Sequence, residues 1–156
     1  MTEAELKTNL KDIKIECSAH ATEDLEKVKQ AMRMLLPEEM REDQEIKVIK
    51  LRGHAGNPIN LLKLSIEGKS NVKRILAYLS TEMADFDKEI LNQELDDRLG
   101  EENCLYLRFN KQDAYREEIT LDSGDNTIKL VVKFVIYKPE PGLLRKAIKY
   151  YGLIKE

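Results

Sequence analysis

The densest group of side chains able to hold a ligand is Arg108-Phe109-Asn110-Lys111-Gln112-Asp113-Ala114-Tyr115. Arg108 and Lys111 carry cations that pair with phosphates. Asn110 and Gln112 carry amides that hydrogen-bond base edges, and Phe109 and Tyr115 carry rings that stack. The stretch closes a strand-like run, Cys104-Leu105-Tyr106-Leu107, which is where a binding loop on a rigid sheet would sit. Each residue also has a plainer reading: Phe109 in the core, Tyr115 on the sheet rim, Arg108 paired with an acidic helix.

Other chemistry is sparse. His20 and His54 are the only histidines, and each ends a strand beside a special turn. With Asp24 they would supply three metal ligands, but hydrogen bonds to their own loop backbones are the simpler reading. No metal or other cofactor is expected. Glu94, Asp96, Asp97, Glu101 and Glu102 read as a solvated face rather than an acid–base pair. The chain has no complete glycine loop for phosphate binding and no Gly-x-Ser-x-Gly elbow, so catalysis is not expected.

The elements that must position these groups follow from hydrophobic periodicity. The first 11 residues are polar and are expected to be frayed or weakly helical. Ile13, Ile15 and Cys17 alternate with Lys14, Glu16 and Ser18 in a half-buried strand. Thr22 is the expected cap of a helix with the stripe Leu25, Val28, Met32, Leu35, stopped by Pro37. Strands over 45–51 and 59–67 flank Gly53-His54-Ala55-Gly56-Asn57-Pro58, a hairpin with a long tip in which Gly53 and Gly56 are free to take positive φ. Ser70 is the expected cap of the next helix, and a further helix covers 85–99. Strands follow over 103–109, 118–121 and 127–137, the last two joined as a hairpin by the Asp-rich turn 122–126. The longest strand carries Lys129, Lys133 and Tyr137 on its outer face. After Pro139-Glu140-Pro141-Gly142, a basic helix with Arg145, Lys146 and Lys149 closes residues 139–156. Grouped strands of this kind predict an α+β fold: a two-layer sandwich with a mostly antiparallel sheet and helices on one face.

Composition bounds the rest. With 156 residues, 42% of them hydrophobic, one domain over 1–156 is expected. The charged content of 35% fits an ion-paired exterior. Net charge is -3 and pI about 5.6, unlike a generic basic nucleic-acid coat. The charge is uneven: residues 82–102 hold nine acids against two bases, and 129–155 seven bases against one acid. Cys17 and Cys104 read as buried thiols in a reducing compartment, with a disulfide between them left open. No apolar run reaches the ~18 residues of a membrane helix, and the N-terminus lacks a signal-peptide core. A soluble, cytoplasmic protein without membrane contact is expected.

Three motifs occur in order: Ala19-His20-Ala21-Thr22-Glu23-Asp24, then Gly53-His54-Ala55-Gly56-Asn57-Pro58-Ile59, then Leu107-Arg108-Phe109-Asn110-Lys111-Gln112-Asp113-Ala114-Tyr115. Over residues 12–137 they resemble the archaeal family described as predicted exosome subunits or RNA-binding proteins. That family favours Asp where this chain has Asn110, Gly where it has Arg116 or Glu117, and an aromatic where it has Ala55. The resemblance implies a ribosomal protein L5-like α+β fold and an RNA-processing context. The expected function is therefore a non-catalytic RNA-binding protein, with an exosome or other RNA-processing proteins as partners. Its expected contacts are Arg108, Lys111, Gln112, His54, Asn57, Lys129, Lys133, Arg145, Lys146 and Lys149. The alternative is a protein-interaction module or homodimeric adaptor that docks through the acidic stretch 82–102. A contiguous basic face joining the 108–115 stretch to the final helix would favour RNA. Convergence of His54, Asn57, Arg108, Lys111 and Gln112 requires both loops to lie at one end of the sheet.

Overall fold

Alternation from Asp12 onward, after a register shift between Leu10 and Asp12, makes Thr8–His20 (β1) the spine of the sheet. Ile13, Ile15, Cys17 and Ala19 are buried on one face, while Lys14, Ser18 and His20 are exposed on the other. The computed structural model describes residues 2–155, with the His54 side chain outside that description. After β1 come α1 (Leu25–Arg33), β2 (Lys47–Arg52), β3 (Pro58–Glu67), α2 (Lys69–Glu82), α3 (Asp85–Gln93) and α4 (Leu95–Arg98). A short β4 (Leu99–Gly100), β5 (Cys104–Asn110), α5 (Lys111–Tyr115), β6 (Thr127–Ile136) and α6 (Leu143–Tyr150) complete the order. The six strands pair antiparallel in the order β2-β3-β1-β6-β5-β4.

The helices cover one face. Val72, Ile75, Leu76 and Leu79 of α2, Val28, Ala31 and Met32 of α1, Leu91 of α3 and Ile148 of α6 bury against it. They meet Leu62 and Leu64 of β3, Leu105 and Leu107 of β5, and Leu130, Val132 and Phe134 of β6. The two-layer α+β architecture expected from the sequence is the one observed.

Several expected details are corrected. The segment 1–11 is not frayed over its described part. Leu6 and Leu10 are buried, and Thr8–Leu10 pairs with Phe134–Ile136, because two leucines at the strand's start complete the core beside the end of β6. Asp24, not Thr22, caps α1, its carboxylate accepting the Glu26 N–H at 2.9 Å. Gly68 at φ 100°, not Ser70, precedes α2. The helix expected over 85–99 breaks at Glu94 into α3 and α4.

Residues 118–121 form no hairpin with β6. Leu121 instead makes a single antiparallel bridge to Phe109, with the Asn110 N–H donating to Thr120 O at 2.9 Å and the Asp122 N–H to Arg108 O at 2.8 Å. The buried Asp87 carboxylate takes the Leu121 N–H at 3.0 Å, which holds this segment on the α3 side of β5. The two cysteines are free: Cys17 points into the helix layer, whereas Cys104 lies in register with Lys133 on the opposite face. Burial pushes the Cys17 thiol up to about 11.

Candidate nucleic-acid interface

Strand direction puts the two expected loops at one end of the sheet. His20 ends β1 opposite Ile59, and Asn110 ends β5 opposite Thr127, beside the same end of β1. In the β2–β3 tip the Gly53 N–H donates to Asn57 O at 2.8 Å. Ala55 and Gly56 take φ of 64° and 75°. Gly53 does not: its backbone is extended, and a Cβ there would press on Ile59 Cδ1, so a larger residue would have to shift the isoleucine side chain. Asn57 is exposed and extended before Pro58 (φ -69°, ψ 136°). The expected contact at His54 lies outside the described side chains.

The stretch after β5 is a turn of helix rather than a loop. Asn110 caps α5, its Oδ1 accepting the Asp113 N–H at 2.9 Å while its Nδ2 donates to Asp122 Oδ2 at 2.9 Å. Glu117 follows at φ 68°, a left-handed position that a glycine would occupy without strain. One expected contact is displaced by this geometry, and of the two readings of Phe109 the core one holds: it is fully buried and offers no stacking face. Lys111 is only 8% exposed, because its ammonium is drawn inward by the Ser18 carbonyl at 2.8 Å and the Glu23 carboxylate at 3.1 Å.

Glu23 also accepts the His20 N–H at 3.1 Å. Its partial burial raises the carboxyl pKa, but the His20 N–H and the Lys111 ammonium together outweigh that and hold it below the ordinary value. Lys111 therefore ties α5 to the end of β1 instead of contacting a ligand. Gln112 is exposed in the groove between α5 and α1, where Lys27 lies 5.7 Å from the centre of the Tyr115 ring.

A different surface gathers the cations. On the sheet face that carries no helix, register aligns Arg108, Lys129, Glu16, Lys63 and Lys47 straight across β5, β6, β1, β3 and β2. At ~4.8 Å per strand the row is ~19 Å wide. Glu16 pairs with Lys63 at 3.6 Å. The next row brings Tyr106, Val131 and Lys14 together. Lys129 Nζ lies 5.2 Å from the centre of the Tyr106 ring, and Arg108 reaches Thr127 Oγ1 at 3.5 Å. One row further, Lys133 is held by Glu102 at 3.2 Å, which raises its pKa. Tyr137 extends this face and is 76% exposed.

The expected residues thus divide. Arg108, Lys129 and Lys133 share the open sheet face; Gln112 lies in the helix layer; Asn57 sits about three strand spacings, ~14 Å, from β5. Arg145, Lys146 and Lys149 ride on α6, whose Ala147 and Ile148 bury in the helix layer, so the sheet separates them from Lys129. Arg145 is also bound to the Asn92 side-chain oxygen. The two loops do share one end of the sheet, but Lys111 is turned inward there and Asn57 lies away from β5; the basic face joining the 108–115 stretch to α6, which would have favoured RNA, is not formed among the described residues. Tyr106, Lys14, Lys47 and Lys63 belong to the open face and were not singled out from the sequence. Period-two alternation gives their facing, but only the register brings them into rows. Asp24, considered as a metal ligand, is committed to the α1 cap. Among the described residues no three metal-ligating side chains group together.

Relatives of the chain fit this picture. A family model described as RNA binding matches residues 12–134. An uncharacterized protein of Methanocaldococcus jannaschii is 36% identical over 134 residues, covering 84% of this chain and 89% of its own. An RNA-binding protein of Pyrococcus abyssi is 32% identical over 139 residues, covering 88% and 90%. Among solved structures, a protein from Archaeoglobus fulgidus superposes with a TM-score of 0.76 at 33% identity, over 91% of this chain and 96% of that one. One from Methanothermobacter thermautotrophicus, at 23% identity and a TM-score of 0.74 over 92% and 98%, shares the fold. With the family model spanning most of the sheet and two relatives above 30% identity along nearly the whole chain, the protein belongs to this RNA-binding family.

Proposed function

We propose that the chain is a non-catalytic RNA-binding protein whose contact surface is the open face of the sheet. The observation that carries the reading is the placement of Tyr106 beside Lys129 and Arg108, with Lys14 in the row of Tyr106 and Lys63 and Lys47 farther along the row of Arg108 and Lys129. A ring on a sheet face stacks a base, and flanking cations take the phosphates. Membership of the RNA-binding family supports the ligand class. A role in RNA processing, with the exosome or other processing proteins as partners, follows from the family resemblance, and a cytoplasmic location from the reading of the two cysteines as reduced thiols. No described helix is long and apolar enough to cross a membrane.

Binding is expected to weaken with salt. Three phosphate contacts on a single strand give a slope of roughly -2 in log K against log salt. Fluorescence anisotropy of labelled single-stranded RNA from low to physiological salt measures it, and absence of binding at low salt overturns the reading.

A second reading, a protein-docking or homodimeric surface, is favoured by β2. All six residues of this edge strand are exposed, with Leu51 at 47% and Ile49 at 40%. Loss of a partner or of dimer mass on Ile49→Ser substitution, which adds no charge to the open face, with RNA affinity unchanged, supports it.

A further inference from the structure

The open face ends at β5 in a cleft of about 370 Å³, walled by Tyr106, Arg108 and Lys129 from the sheet and by Glu94, Asp97 and Arg98 from the α4 side. Its size falls within the range of small-ligand sites, ~300–1,000 Å³. Its charges are mixed, which a site for phosphate alone would not be, because carboxylates repel phosphate. Glu94 is neutralised by Arg98, whose Nη2 and Nε donate to Glu94 Oε2 at 2.9 and 3.2 Å. Asp97 is different: it is exposed, and its side chain makes no hydrogen bond or ion pair among the described residues. The cleft therefore presents an aromatic ring, one free carboxylate and two cations.

Gly100 fixes the ring. A Cβ at that position would collide with Tyr106 Cε2, so the backbone of β4 lies directly against the tyrosine ring and a larger residue there would push the ring aside. The Lys129 ammonium lies over the ring at 5.2 Å from its centre. A base stacking on Tyr106 displaces it toward the strand's own phosphates.

We propose that this cleft holds a guanine base of single-stranded RNA, stacked on Tyr106 with its Watson–Crick edge on Asp97; the proposal rests on RNA binding by the open face. An ionised carboxylate only accepts hydrogen bonds. Guanine is the one common base whose Watson–Crick edge presents two adjacent donors, N1–H and the N2 amine. Uracil places its single N–H between two carbonyl oxygens, and adenine and cytosine each set an acceptor nitrogen beside the amine. Two parallel N–H bonds to one carboxylate suit guanine, whereas each of the others brings at least one acceptor toward Asp97. Arg108 and Lys129 then lie on the side where the adjoining phosphates run.

The experiment compares octauridylate with octamers carrying a single central guanosine, adenosine or cytidine, each titrated by anisotropy into wild type and Asp97→Asn. The expected result is roughly tenfold tighter binding of the guanosine octamer by wild type, the scale of one well-formed bidentate base contact. That preference disappears in Asp97→Asn, while octauridylate affinity changes little. Asp97 is exposed, so the variant folds, and circular dichroism checks it. Equal affinity of wild type for all four oligomers, or a guanosine preference that survives Asp97→Asn, overturns the pocket and leaves RNA binding standing. No binding of any oligomer at low salt overturns both.

Discussion

Lys111 buries an ammonium at the end of the sheet and satisfies it with the Ser18 carbonyl at 2.8 Å and the Glu23 carboxylate at 3.1 Å. Removing one partner of a fully buried pair costs ~3–5 kcal/mol. The Glu23 side chain is 29% exposed, so water screens the pair, and about 2 kcal/mol is expected for Lys111→Ala. A lower urea midpoint at unchanged slope measures it. Glu23 adds a pH dependence of definite sign. Its folded-state carboxyl lies below the ordinary value, so its contribution is complete above about pH 4.3 and is lost as pH falls through the lowered folded value. Acid therefore destabilises wild type more steeply than Glu23→Gln, and parallel acid profiles of the two contradict this. The burial of Lys111 was not legible in the sequence. Lysine is ordinarily exposed, and its partners lie 93 and 88 residues away.

Among the elements, α3 does more than its length of nine residues suggests. Asp87 in its first turn is buried and accepts the Leu121 N–H at 3.0 Å, whereas Asp85, two residues earlier, only meets Lys155 at the surface. Asp87→Ala leaves a partly buried N–H unpaired and is expected to cost about 1–3 kcal/mol. Asp85→Ala, breaking an exposed pair, is expected to stay within roughly 0.5 kcal/mol. Thermal or urea unfolding of the two variants side by side distinguishes them, and equal effects contradict the assigned role of Asp87.

The same elements mark how far sequence reading reaches. Alternation in Ile13, Ile15 and Cys17, and the outer placing of Lys129, Lys133 and Tyr137, identified β1 and β6 with the correct faces. The β2–β3 hairpin followed from its glycines, asparagine and proline. The 118–121 segment was misread because its partner is a carboxylate on α3 and a single bridge to Phe109, neither of which leaves a periodic trace. The strand over 103–109 was read correctly, but residues 110–115 were read as a loop and form a capped helical turn, which turns Arg108 and Gln112 to different layers.

For the whole molecule, the sheet is a partition. On its open face the strand residues in register include six cations, Lys14, Lys47, Lys63, Arg108, Lys129 and Lys133, against Asp12, Glu16 and Glu67. A chain of net charge -3 thereby presents a basic face, while its acidic residues 82–102 lie mainly on α3, α4 and the turns flanking β4. The cations of α6 lie on the other side of the sheet. RNA binding by the open face requires the two groups to behave differently. The direct measurement is anisotropy of one labelled single-stranded RNA with wild type, Arg108→Ala/Lys129→Ala and Arg145→Ala/Lys146→Ala over a salt series. The predicted result is a roughly tenfold loss for the Arg108/Lys129 pair, with the salt slope smaller by roughly 1.4, and less than about a twofold change for the Arg145/Lys146 pair. Equal losses in both pairs, or a larger loss in the α6 pair, would contradict an RNA interface on the open sheet face.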